Sequence, residues 1–239
     1  MTISNKSLNN FTKKVVLISM IYIFILSSQA WGWTEKSYVL IARDAIQLMP
    51  DNFQWLMENY EDQFYRGLKE PVKDYENASD LIKAIMNFSE ASIKTIQKNH
   101  QYRDAARVFG VIARMAAKLN HPLGFNLELI ESTWKTDYDI YLEKKRSKFR
   151  IRWYGQKNLP KSRKELSCLL SNSSAKNSKI SSLLIQTLNQ NQTPIERYDE
   201  RSIPFGVGSI AYSNAVANTA YIWLHSWYHT GGVRVPTTR

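Results

Sequence analysis

The chain has 239 residues, of which 44% are hydrophobic and 12% aromatic, and a formal net charge of +11. That much apolar material is enough for one well-packed domain. Cys168 is the only cysteine, which excludes an intrachain disulfide, and no C-x-x-C or zinc-ribbon spacing exists.

Lys6, Lys13 and Lys14 precede an apolar run at 15–26, and Ser28-Gln29-Ala30 supplies small residues before a cleavage point. This is the pattern of a secretory signal peptide over 1–30, cut before Trp31, so the expected destination is the periplasm or the extracellular space. An uncleaved N-terminal anchor is the alternative, although the run is short for a membrane span. No cysteine follows it, so lipoprotein processing has no support.

Thr34 is a suitable N-cap, and Tyr38, Ile41, Ala45 and Leu48 trace one apolar helical face. Pro50-Asp51 opens a second helix with Phe53, Leu56 and Met57 inward. The stretch 67–80 reads as a loop by its proline and its polar density, with Asp74 solvated in it. A helix over 79–99 follows, with Leu81, Ile85, Phe88 and Ile93 inward, and His100 marks its end.

The central stretch, 108–125, places Val108, Ile112, Met115 and Leu119 on one face, widened by Ala113, Ala116 and Ala117 so that another helix can come close. Asn120 and the restriction that Pro122 places on His121 end it. Arg103, Arg107, Arg114 and Lys118 line a flank of the same helix, which reads as a solvated basic edge.

Further on, Asp139 and Glu143 lie one helical turn apart, a spacing that suits either a cation or an ordinary surface helix. Ten Lys or Arg and no acid fall between Lys144 and Lys164, and within that run 148–153 alternates basic and hydrophobic residues. In a strand-like conformation the alternation gives one basic and one apolar face, fit for an anionic membrane surface or for the phosphates of a polyanion. The plainer reading is a solvated basic excursion without a dedicated partner. The Ser- and Asn-rich stretch 171–193 reads as an insertion with one weakly apolar helical piece at 180–188. The last helix carries Val216, Ala220, Trp223 and Trp227 on one face and stops at Gly231-Gly232. His225 and His229 sit one turn apart, but no Glu follows His225 as a zincin motif requires, so they read as a surface pair.

Three of these stretches resemble the zinc-dependent phospholipase C and single-strand-specific zinc nuclease superfamily. Gly110 and Pro122-Leu123 stand as in its helix G-x-x-x-H-Y-x-x-D followed by P-L-H. Trp31-Gly32 stands as in its opening W-G-x-x-x-H, and the last helix is similar to its T-A-x-x-W-x-x-x-W-x-x-x-G. The resemblance implies an all-α fold: a single multi-helix bundle of the phospholipase C/zinc nuclease type over 31–239, elaborated at 144–195, with roughly seven to nine helices of ordinary length.

The resemblance also implies a trinuclear zinc site that hydrolyses phosphodiesters, with the amino group of the first Trp among its ligands. The other ligand positions read Lys36, Val72, Arg114, Lys118 and Gly124 in this chain. Zinc takes imidazole, thiolate or carboxylate donors, so no zinc cofactor is expected. Asp139 and Glu143 remain as candidate residual ligands, and Trp31, Lys36, Arg114 and Lys118 outline a former metal pocket read as an anion site. The alternative for these cations is that their heads reach solvent.

Three functional readings follow. The first is an exported, catalytically inactive binding or structural protein. The second is a residual phosphodiester hydrolase with ligands drawn from Asp74, His121, Asp139, Glu143, His225 and His229. The third is a protein that binds an anionic membrane surface or polyanion through 144–164, and it is compatible with the first.

Overall fold

The computed structural model describes residues 33–125, 132–190 and 193–232. The leader read over 1–30 and the terminus read at Trp31 lie outside the described residues. Among those described there are eight α-helices and no strand. They are α1 (Glu35–Ile46), α2 (Asp51–Asn59), α3 (Glu61–Lys69), α4 (Ala78–Asn99), α5 (Tyr102–Leu119), α6 (Ser132–Lys145), α7 (Arg163–Gln190) and α8 (Ile203–His229).

Local chemistry starts and stops these helices. Thr34, Asn77 and Ser202 cap α1, α4 and α8, each accepting a bond from the backbone N–H three residues on. His100 adopts a left-handed φ of 48° and closes α4, which matches its reading as a helix-end residue.

The central helix is α5, and its closest partner is α3. A Cβ placed on Gly110 would lie 2.1 Å from the Phe64 carbonyl oxygen, and one on Gly67 would lie 1.9 Å from the Arg107 carbonyl oxygen. Both glycines are therefore required by a backbone-to-backbone crossing. Helix α8 packs on the other side, where Trp223 is fully buried and donates its indole N–H to the Phe109 carbonyl at 3.1 Å. Phe53 sits in the same aromatic cluster, 5.5 Å from Trp223 and 5.4 Å from Trp227 between ring centres.

The scaffold departs from the sequence reading at four places. The segment 67–80 is not all loop: α3 runs through Gly67 to Lys69, because Phe64, Gly67 and Leu68 have a buried face to fill. Phe88 is exposed, and α4 instead turns Leu81, Ile82, Ile85, Met86, Ser89, Ser92 and Ile96 inward. The alternating segment 148–153 pairs with no strand. It runs along α8, with Phe149 buried against Phe205 and Tyr212, Trp153 packed at a tilt on Tyr221, and the Arg152 N–H bonded to Ser213 Oγ at 2.9 Å.

The fourth departure is the largest. Residues 171–190 of the Ser- and Asn-rich stretch lie within the single 28-residue helix α7 and meet polar partners in the interior. Asn120 Oδ1 accepts from Asn177 Nδ2 at 2.8 Å, Asn218 Nδ2 at 3.0 Å and Ser173 Oγ at 3.1 Å. Asn214 Nδ2 closes the seam by donating to Asn177 Oδ1 at 2.9 Å. An amide-to-amide lattice of this kind lets a helix of low hydrophobicity dock without stranding buried polar groups.

Candidate functional site

The residues that the sequence singles out meet where the N-terminus of α1, the C-terminal half of α5, the 70–77 loop and α6 converge. Helix α5 supplies two cations from one row. Its side chains become less exposed along the helix: 66% at Arg103, 43% at Arg107, 6% at Arg114 and 9% at Lys118. The basic edge is therefore solvated only in its first half, and the solvated reading of Arg114 and Lys118 is corrected. The cause is the cover over the last two turns, where α1 and the 70–77 loop lie.

Each buried cation has a carboxylate. Arg114 takes both Glu35 oxygens, at 2.7 and 3.1 Å, and the Leu68 carbonyl at 3.0 Å, with its guanidinium 4.5 Å from the centre of the Tyr38 ring. Lys118 Nζ meets Asp74 Oδ1 at 2.8 Å, so Asp74 is engaged rather than merely solvated. Arg107 is paired with Glu70, and α5 thus ties the loop at its start and again at its middle. The two acids that face the buried cations stay in water, Glu35 at 63% exposure and Asp74 at 80%.

Helix α6 brings Lys135, Asp139 and Glu143 to the same junction at one-turn intervals. Glu143 accepts from Lys36 Nζ at 2.7 Å and from Thr34 Oγ1 at 2.8 Å, and these bonds hold its carboxyl below the usual range. Lys36 itself is 70% exposed. Asp139 is buried and meets His121 Nε2 at 2.7 Å. His121 Nδ1 accepts the Leu123 N–H at 3.2 Å, so Nε2 carries the proton and donates it to Asp139. Both ring nitrogens are thus engaged.

Burial pulls the Lys135 ammonium down to about 8; nearby Lys118 adds to this, and Asp139 and Asp74 oppose it. Burial likewise pushes the Tyr38 hydroxyl up. Trp33 packs at the base of the junction, its indole N–H on the Ala117 carbonyl at 2.9 Å and its ring edge-on to His121 at 5.1 Å.

These residues do not fit the zinc cluster that the resemblance implies. Among the described ligand positions, Lys36, Arg114 and Lys118 present cations, Val72 is apolar and packs on the core, and Gly124 has no side chain. The acids nearby, Asp74, Asp139 and Glu143, each hold a lysine or a histidine, and His121 has no nitrogen to spare. No group of three or more His, Cys, Asp or Glu side chains is assembled for a metal among the described residues. The arrangement suits exchange of one anion for another, because a ligand oxygen can replace a surface carboxylate while the buried cation stays compensated.

Three participants were not visible in the sequence. Glu35 is a first-turn acid with nothing to distinguish it from a simple dipole partner, Thr34 reads only as a cap, and Lys135 belongs to no motif. The one available signal is the one-turn spacing of Lys135 to Asp139.

The basic run has a fixed start. Arg146 donates to both oxygens of buried Asp44, at 2.5 and 2.6 Å, and Tyr212 donates to Asp44 at 2.7 Å. Beyond it Lys148, Arg150, Arg152, Lys157, Lys161, Arg163 and Lys164 are exposed; Lys148 pairs with Glu200 and Arg163 with Glu90.

The reading of His225 and His229 as a surface pair is also corrected. His225 is buried at 4% exposure, because Leu159 and Pro160 lie against it, and of the two only His229 is exposed. Burial, with His229 adding to it, lowers the His225 imidazole below its ordinary value.

Comparison of the chain with protein-family profiles, with curated proteins and with solved structures found no match.

Proposed function

We propose that this is an exported, non-catalytic binding protein that takes a phosphate-bearing or similar anionic group at the α1–α5–α6 junction. The observation that carries the reading is the pairing of a buried guanidinium and a buried ammonium, Arg114 and Lys118, with carboxylates that stand in water. A phosphate oxygen offers Arg114 the same two-pronged acceptor that Glu35 now provides. The resemblance to the phospholipase C/zinc nuclease superfamily supports the choice of phosphate, since these positions correspond to those that hold metal and phosphate there. The exposed cations of 144–164 add long-range attraction for a polyanion or an anionic membrane surface. No helix among the described residues is long and apolar enough to cross a membrane.

Titration of the purified chain with inorganic phosphate, followed by calorimetry, tests the site. Wild type binds, Glu35→Gln/Asp74→Asn binds about tenfold tighter because two competing charges are gone, and Arg114→Gln/Lys118→Gln loses binding; tenfold corresponds to about 1.4 kcal/mol. Equal binding by all three proteins overturns the site. Chelator-sensitive hydrolysis of a phosphodiester by wild type overturns the non-catalytic reading and returns the protein to the hydrolases.

A further inference from the structure

The last turn of α8 holds a second constellation, separate from the charge cluster. His225 and His229 are four residues apart on one helix, and their ring centres are 4.2 Å apart with the planes tilted by 42°. His225 Nδ1 lies 3.0 Å from the Pro160 carbonyl oxygen, and His229 Nδ1 lies 2.8 Å from the His225 carbonyl oxygen. A carbonyl oxygen can only accept, so each Nδ1 must carry the proton. In the neutral rings both Nε2 atoms therefore keep their lone pairs. This is the tautomer that metal-binding histidines adopt, with the far N–H held by a backbone carbonyl that also fixes the plane of the ring.

Both rings line a cavity of about 250 Å³ together with Leu159, Pro160, Lys161 and Tyr228. His229 is the final residue of α8, so the negative end of the helix dipole lies beside the cavity and favours a cation. The Glu165 carboxylate, near the start of α7, also acts favourably on the His225 ring, whereas the cation of Lys161 on the cavity wall acts against one.

We infer that His225 and His229 form a two-imidazole site for a late first-row divalent ion, Cu2+ foremost and then Ni2+ or Zn2+. Two nitrogen donors select these ions over Mg2+ and Ca2+, which require oxygen ligands. Water completes the coordination shell, since no third His, Cys, Asp or Glu is assembled with the pair among the described residues. The site stands apart from the anion proposal, since none of its residues contributes to the Arg114–Lys118 cluster.

The test titrates the full exported chain with CuCl2 in a non-coordinating buffer, followed by calorimetry and by electron paramagnetic resonance. Wild type takes up one Cu2+ with hyperfine structure from two imidazole nitrogens, and takes up no Mg2+. His229→Gln, at an exposed position where the fold is not at stake, lowers the affinity at least tenfold and removes one nitrogen from the spectrum. His100→Gln retains wild-type binding, which separates the site from histidine in general. Unchanged Cu2+ affinity in His229→Gln, or no uptake by wild type, overturns the inference.

Discussion

Within four residues at the end of α5 the chain buries polar side chains in two opposite ways. Asn120 turns toward α7 and α8, where neutral amides satisfy one another and none of Asn120, Asn177 and Asn218 is more than 5% exposed. Lys118 and His121 turn toward α1, α6 and the 70–77 loop, where the ammonium is buried and its partner Asp74 stands in solvent. The amide seam is closed, and a ligand has nothing to displace in it. The charge cluster is half open: its cations are held in place by packing while their counter-charges are held only by electrostatics. A buried group fixed on one side and exchangeable on the other is the arrangement expected of a binding site, whereas a seam satisfied on every side belongs to the scaffold.

The sharpest way to break this contrast is at the seam. Asn120→Ala removes the acceptor shared by Asn177, Asn218 and Ser173 and leaves buried donors without partners, at a cost of about 3 kcal/mol. Urea denaturation at low and high salt should show the same loss at both, because no charge is involved; a salt-dependent loss would mean that the seam is coupled to the cluster.

The cluster should respond less and differently. Asp74→Ala leaves the Lys118 ammonium buried without its carboxylate and costs about 1–2 kcal/mol, less than for a fully buried pair because the acid is largely in water. Adding Lys118→Met should recover most of that loss, since a thioether of similar volume fits the site without a charge. A double-mutant cycle measured by denaturation checks it. Additive losses would show that the pair does not act as a unit.

A third, different effect is a pH dependence that the seam cannot have. Lys135 titrates near 8 in the folded chain against an ordinary 10.5, so the unfolded state holds its proton more firmly. Its contribution to stability is greatest above pH 10.5 and is lost as the pH falls through about 8. The stability of wild type relative to Lys135→Met should therefore rise over that window, with Asp139, Lys118 and Asp74 as the charges that face it. A flat difference would place Lys135 in open solvent.

Much of the scaffold was legible from local pattern. The capping residues Thr34 and Asn120, the apolar rows of α1, α2, α5 and α8, and the glycine pair that ends α8 all act through neighbours within a turn or two, which a sequence displays directly. These rows agree with the all-helical class that the described residues adopt. The polar helix α7 was not legible, because its Ser and Asn side chains become sensible interior residues only beside Asn120, Asn214 and Asn218. Phe88 lies outward against its residue type, because residue type alone does not tell which of two adjacent faces a neighbour covers.

The same division runs through the site. The sequence by itself determined that cations stand at Lys36, Arg114 and Lys118, that acids stand at Asp139 and Glu143, and that two histidines lie one turn apart near the end of the chain. Those are matters of residue identity and helical period. Only the tertiary structure decided that Arg114 and Lys118 are buried while Arg103 is not, that Glu35 and Asp74 are their partners, and that a proline carbonyl buries His225 and sets its tautomer. Burial and partner choice depend on which elements cross a given turn of helix, and those elements come from positions as much as 109 residues away along the chain.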